Sequence, residues 1–372
     1  MTCPTGTTSG KNGSHSRSRE QALVRDLVAN PDFLAYRFDF ATESVGFLPI
    51  TRDEIRRVSS LRKDSIDPNR QLIEVPLAEL VDLANAPRQA LLDNPPRFIF
   101  HTAYCASTFL SRCLDVDGVS IGLREPQLLL DAANAKRLQW QSQSTGLGYR
   151  DLPTLALALL GKHANASEKL IIKPINSVNN IIPELLGLCS SSKALLLYTD
   201  ARNFALSTLK KGEGGKQTVR SMFDLLRCDF PQLSNLQLTH TIHMTDLRVI
   251  MTLWRLQLEQ ASQAIQHFSQ SNTMASLYGE RLIQSPLDVL RAANAFLELG
   301  IAPAQIQAIA DSEDLSIDAK NASEKFSAEK RERIYQRLEE FYGEDLSQGL
   351  EWLVRNNPGT ALVPDPGGAL KL

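Results

Sequence analysis

At 372 residues the chain is long enough for one large domain with additions, or for two domains. Its 43% hydrophobic and 22% charged residues are those of an average soluble globular protein. A formal net charge of −2 excludes a general nucleic-acid coat, which needs a basic face, but leaves room for a local basic pocket for a small anion.

Residues 1–19 are rich in Ser, Thr and Gly and have no apolar centre, so they read as a disordered tail (1–20) rather than a signal peptide. The longest apolar runs, such as 194–198, fall far short of the roughly 20 residues that cross a bilayer. Five cysteines, without a C-x-x-C pair, suggest reduced thiols and a cytoplasmic setting. Residues 21–94 form an extension of short mixed elements, basic around Arg56, Arg57, Arg62 and Lys63, with a strand at 72–74. A helical pattern over 77–92 ends at Asn94-Pro95-Pro96.

The central region alternates. Apolar runs at 98–100, 119–123, 170–172 and 194–198 have strand length and are apolar on both faces, as buried parallel strands are. Helical patterns at 108–114, 127–138, 152–163 and 181–188 lie between them, which implies βαβ units and a mostly parallel sheet. The second half is largely helical. Leu247, Ile250, Met251, Trp254, Leu258, Ala261 and Ile265 make a helical stripe read as core, 274–278 reads as one more strand, and 327–341 as a charged amphipathic helix. Residues 346–372 read as a C-terminal tail, loose beyond Asn356.

Arg97-Phe-Ile-Phe-His-Thr-Ala-Tyr-Cys-Ala-Ser-Thr108 carries the functional argument. A strand runs through a loop of small residues into a helix, a junction that aims backbone N–H groups and a positive helix end at one point where an anion can sit. The residues alone leave two readings open: an anion cradle, or an ordinary turn capped by Ser107. They do not fit the nucleoside-triphosphatase loop G-x-x-x-x-G-K-[ST], because His101, Ala106 and Ser107 stand at its two glycines and its lysine.

The order of features resembles the sulfotransferase family, whose loop after the first strand reads like R-S-G-T-T. Tyr104-Cys105-Ala106-Ser107-Thr108 stands there, with the hydroxyl pair matched, Tyr104 in place of the basic residue and Ala106 in place of Gly. Leu123-Arg-Glu-Pro126 follows the second strand, where some members place a glutamate base. Ile171-Ile-Lys-Pro174 follows the third, where others have K-T-H; the histidine is missing and Asn176 is the nearest polar substitute. Asp200-Ala-Arg-Asn-Phe-Ala-Leu-Ser207 resembles the 3′-phosphate motif R-D-P-R-D-x-x-x-S, with Thr199 for the first Arg. Residues 276–280 through 294–300 resemble the last strand and its helix.

The resemblance implies a P-loop-like α/β three-layer sandwich over 95–345. It implies the donor PAPS (3′-phosphoadenosine 5′-phosphosulfate), no metal, and sulfuryl transfer to a hydroxyl or amine on a small molecule or glycan. It implies a 5′-phosphosulfate loop at Tyr104, Cys105, Ala106, Ser107 and Thr108, and a 3′-phosphate site at Arg202 and Ser207. Glu125 becomes the candidate base and Lys173 the cation beside the bridging oxygen. The rivals are a non-catalytic nucleotide-binding protein, for which Tyr104 and Thr199 speak, and a phosphotransferase or NTPase needing a metal-binding Asp, for which Asp200 is the candidate. Lys210 to Lys216 reads as a flexible basic loop able to close over a nucleotide. Cys105 is placed where a helix end lowers a thiol's pKa. His240 and His243 form an H-x-x-H without further ligands at zinc spacing.

Overall fold

The computed structural model describes residues 12–85, 92–230, 244–312, 328–357 and 359–372; His240 and His243 lie outside them. Its first element is a helix, α1 (Asn12–Ala29), which reaches back into the expected tail. Residues 17–28, dominated by Arg, Glu, Gln, Ala and Leu, favour helix, and buried Leu27 anchors its end.

The extension forms an antiparallel sheet of β1 (Phe33–Asp39), β2 (Ser44–Pro49) and β3 (Ile73–Pro76), in the order β1-β2-β3. Leu34, Phe38, Val45, Phe47 and Val75 bury its inner side. Between β2 and β3 lies α2 (Arg52–Arg57), opened by a capping box in which Thr51 and Glu54 satisfy each other's backbone N–H. A short α3 (Val81–Asn85) follows.

The centre is a five-stranded, wholly parallel sheet of β4 (Arg97–His101), β5 (Ser120–Arg124), β6 (Lys169–Lys173), β7 (Lys193–Tyr198) and β8 (Met274–Tyr278), ordered β5-β6-β4-β7-β8. The helices after them are α4 (Ser107–Cys113), α5 (Gln127–Leu138), α6 (Leu152–Gly161), α7 (Ile182–Gly187), α8 (Ala201–Leu209), α9 (Gly212–Leu226) and α10 (Asp246–His267). Then come α11 (Gly279–Gln284), α12 (Pro286–Leu297), α13 (Pro303–Asp311) and α14 (Ala328–Asn356).

Alternation along the strands makes the three layers. Phe98, Phe100, Ile172 and Leu196 pack into the core shared with α5, α6, α8 and α10. Ile99, Ile171, Leu195 and Leu197 face the other way, into a core shared with α4, α11, α12 and α13. Trp254 is fully buried in the first core and donates its Nε1–H to Thr199 O at 2.9 Å, as the helical stripe led us to expect. The chain's end differs from expectation. Ser276 of the edge strand exchanges hydrogen bonds with Gly368 O and Leu370 N, both 2.8 Å, so residues 368–370 extend the sheet rather than trail from it. An exposed edge has unpaired N–H and C=O groups, and these residues satisfy them.

Residue 210–216 is a second difference. Where a mobile basic loop was expected, α9 begins at Gly212 and packs directly on α8: a Cβ on Gly215 would lie 2.3 Å from Thr208 O. Gly215 thus serves close helix approach.

β1 meets α5 at Asp131, whose carboxylate accepts the Phe38 N–H (3.0 Å) and Gln127 Nε2 (2.7 Å). Burial raises its pKa from 3.8 to about 6, against the lowering effect of those hydrogen bonds. The folded value lies above the unfolded one, so the protonated form favours folding. That contribution is present below about pH 4 and is lost as pH rises through about 6. Asp131→Asn removes the charge and has one acceptor oxygen for the Phe38 N–H, its Nδ2 requiring the Gln127 amide to reverse; relative to the wild type its stability is expected to rise by about 2–3 kcal/mol between pH 4 and pH 7. Urea denaturation at both pH values checks it. The same difference between wild type and variant at both pH values would contradict the burial argument. Taking the difference matters, because buried His163, held at about 3 by burial, destabilises the fold as pH falls below 6.5, in the opposite sense.

Candidate active site

All five strands deliver their C-terminal ends to one rim, and β4, at the centre, is where the winding reverses: the chain goes to β5 on one side and later to β7 on the other. Ligands of open α/β sheets sit at such a crevice. From β4 the chain turns through Thr102 to Ala106. Ala103, Tyr104 and Ala106 take φ values of +66°, +53° and +60°, left-handed positions that cost side-chain-bearing residues of order 1 kcal/mol each.

The surroundings hold this strained path. His101 Nδ1 accepts the Ala103 N–H at 3.0 Å, Asn179 Nδ2 donates to His101 O at 3.1 Å, and Thr102 N donates to Leu197 O at 3.0 Å. Cys105 is buried with its Sγ 3.4 Å from Leu197 O. Behind the loop, Gly279 at the end of β8 leaves no room for a side chain, since a Cβ there would come 2.4 Å from Cys105 O. The Tyr104 ring meets Phe204 of α8 edge-on at 5.3 Å, and Lys211 Nζ lies 5.0 Å over its face.

Ala106, not Ser107, is the N-cap of α4, and it has no side-chain acceptor to offer. Among the described residues, no acceptor takes the N–H groups of Tyr104, Cys105, Ala106 or Thr108. Ser107 is therefore not the cap, and these N–H groups stand at the start of α4 without a side-chain acceptor. The members of the loop contribute through backbone N–H: the Tyr104 ring is turned to α8, and burial pushes the Cys105 thiol up to about 11. Burial outweighs the lowering effect of Lys173 and of the nearby hydrogen bonds, which fits a small residue tolerated in a tight turn.

Beside the loop the ends of three strands bring charges together. Lys173, the last residue of β6, is fully buried, with Nζ 2.7 Å from Glu125 Oε1 and 3.0 Å from His101 Nε2. Glu125, just past β5 at a φ of +51°, is tied to β6 by its N–H donating to Lys173 O at 2.6 Å. Its second oxygen lies 3.6 Å from Arg62 Nη1, so the N-terminal extension supplies a cation to the site. His101 Nε2 lies 3.1 Å from Pro174 O as well as 3.0 Å from Lys173 Nζ, and its role toward each is set by the tautomer. Glu125 and Lys173 thus form an ion pair across neighbouring strand ends, the arrangement in which the lysine serves as partner to a carboxylate. The imidazole beside them comes from the end of β4. Asn176, the expected substitute, is turned away to Gln257 and Met222.

The outer candidates are differently placed. Arg202 Nε is 2.5 Å from Glu339 of α14, and Ser207 Oγ is 2.6 Å from Tyr335 OH. Asp200 caps α8: its carboxylate accepts Asn203 N (2.7 Å), Asn203 Nδ2 (2.6 Å) and Tyr278 OH (2.6 Å). Three protein donors engage it here, the arrangement of a helix-capping carboxylate.

The five-stranded parallel sheet between two layers of helices defines a three-layer α/β sandwich, with the strand-loop-helix junction of residues 97–113 at its centre. No protein-family model and no curated protein matches the sequence. Solved structures similar to it include the sulfotransferase domain of the curacin biosynthetic pathway (16% identity, 63% of this chain and 84% of that one, TM-score 0.40). They also include a sulfotransferase from Mycobacterium avium (12%, 70% and 78%, 0.36), and retinol dehydratase in complex with retinol and PAP (12%, 92% and 96%, 0.37). These are likenesses of chain path; the roles below rest on this chain's own residues. Among the described residues no helix is long and apolar enough to cross a membrane.

Proposed function

We propose that the protein transfers a sulfuryl group from PAPS to a hydroxyl or amine of a small-molecule or glycan acceptor. The observation that carries this reading is the buried Lys173–Glu125–His101 cluster set beside a loop whose N–H groups await an anion. The loop fits a phosphosulfate, and Arg202 with Ser207 fits a ribose 3′-phosphate once Glu339 and Tyr335 give way.

Bound PAPS supplies the sulfuryl group and the leaving phosphate. Glu125 takes the acceptor's proton as its oxygen or nitrogen attacks sulfur. Protonation removes the charge that holds the Lys173 ammonium, freeing it to stabilise the bridging oxygen as the S–O bond breaks, while Tyr104, Cys105, Ala106 and Thr108 donate backbone hydrogen bonds to the phosphate. His101 keeps both parts in register, since one ring nitrogen holds the loop and the other touches Lys173. Among the described residues the cysteines Cys105, Cys113, Cys189 and Cys228 are free thiols, which suits a reducing, cytoplasmic setting.

Radiolabelled PAPS incubated with a mixed acceptor panel tests turnover, with transfer abolished in Glu125→Gln as the expected result. A second reading, nucleotide binding without catalysis, is favoured by Tyr104 standing where a loop cation would be. It wins if the wild type binds nucleotide and transfers no label to any acceptor.

A further inference from the structure

The two halves of α14 are held in different ways. Toward its C-terminus, Leu346, Gly349 and Leu353 are buried, and Gly349 lets the helix approach Leu247 and Met251 of α10. Toward its N-terminus the links are polar and fall on one stripe at four-residue spacing. Arg331 donates to both oxygens of Glu280 (2.8 and 2.6 Å), Tyr335 meets Ser207, and Glu339 pairs with Arg202. Arg331 also lies 4.8 Å over the Tyr335 ring, which is itself buried.

Two of these three links end on the two residues assigned to the ribose phosphate. A carboxylate on a guanidinium and a hydroxyl on a hydroxyl are what a phosphate would present to the same pair. The Arg202–Glu339 pair is more than a third exposed on both sides, and such pairs are weak. A phosphate, carrying more charge and more acceptor oxygens than a carboxylate, can displace it.

We propose that Glu339 and Tyr335 are specificity-determining residues of the nucleotide site: they occupy the anion subsite at Arg202 and Ser207 and compete with a phosphate on the ribose, setting how strongly a bisphosphorylated nucleotide is preferred over a 5′-monophosphate. The inference rests on the assignment of Arg202 and Ser207 made above. The apolar contacts of α14, the Tyr335 ring among them, are the fixed part, and the Glu339 carboxylate and Tyr335 hydroxyl are the groups that yield.

Calorimetric titration of the full chain with adenosine 3′,5′-bisphosphate and with 5′-AMP tests it. In Glu339→Gln the bisphosphate is expected to bind about fivefold more tightly, the factor corresponding to loss of one exposed competing ion pair, with 5′-AMP unchanged. Tyr335→Phe, which keeps the ring under Arg331 and removes only the hydroxyl, is expected to act in the same direction, and far-UV circular dichroism checks that both variants keep the helix. Arg202→Ala is expected to weaken the bisphosphate alone. If Arg202→Ala has that effect while neither α14 variant tightens the bisphosphate, the competition is overturned and the phosphate assignment stands. If Arg202→Ala leaves both nucleotides unaffected, the assignment falls and the inference with it.

Discussion

Lys173→Ala is expected to lower sulfuryl transfer by about 10²–10³-fold while nucleotide binding is retained. The ammonium sits at the end of the strand next to the loop, 2.7 Å from the candidate base. In the proposed reaction its charge acts on the leaving oxygen, where negative charge develops in the transition state, rather than on the nucleotide's ground state. Lys173 is also structural, since removing one partner of a buried ion pair costs about 3–5 kcal/mol. Transfer is therefore measured well below the variant's Tm, alongside Lys173→Ala/Glu125→Gln, which removes the carboxylate charge as well and is expected to regain stability but not activity. Wild-type turnover in Lys173→Ala would reduce the lysine to a partner for Glu125.

Gly279→Ala is expected to abolish nucleotide binding through one methyl group. The added Cβ meets Cys105 O at 2.4 Å and Cys105 C at 2.8 Å, both backbone atoms that no rotamer change can move aside. The loop must shift, and its left-handed residues have no slack because each neighbour that fixes them sits at hydrogen-bond distance. Overpacking of this kind costs about 1–3 kcal/mol in stability, and displaced N–H groups lose the anion. Gly161→Ala, where nothing lies within 4 Å, is the matched control and is expected to bind nucleotide normally. Equal affinity in the two variants would show that the loop's path is not set from behind.

The parallel sheet was legible because its strands are apolar on both faces, and the helix over 127–138 matches its pattern to the residue. The hairpin of β1 and β2 was not. Its turn at Phe40 to Glu43 lacks an Asn-Gly or Asp-Gly signal, and Glu43 takes the left-handed position with a φ of +49°. The full length of α14 was hidden by Gly343 and Gly349, which break the pattern of helix formers although Gly349 serves packing against α10. At the candidate site, the position of Lys173 at the end of β6 and of Glu125 just past β5 followed from the apolar runs before them. The place of the His101 ring did not, since a histidine before a loop does not show which way its ring turns. Arg62 comes from a segment 63 residues away in sequence from Glu125, brought in by Leu61 N donating to Arg124 O (2.7 Å) and Gln127 N to Leu61 O (3.1 Å). The engagement of Arg202 and Ser207 by α14 depends on tertiary packing across more than 120 residues, which no local motif encodes.

The central claim is that the loop from Thr102 to Thr108 holds a phosphosulfate donor. Calorimetric titration with adenosine 3′,5′-bisphosphate, set against ATP with magnesium, tests it most directly. The account predicts micromolar binding of the bisphosphate without metal and little binding of ATP. Micromolar binding of ATP with magnesium and none of the bisphosphate would contradict it.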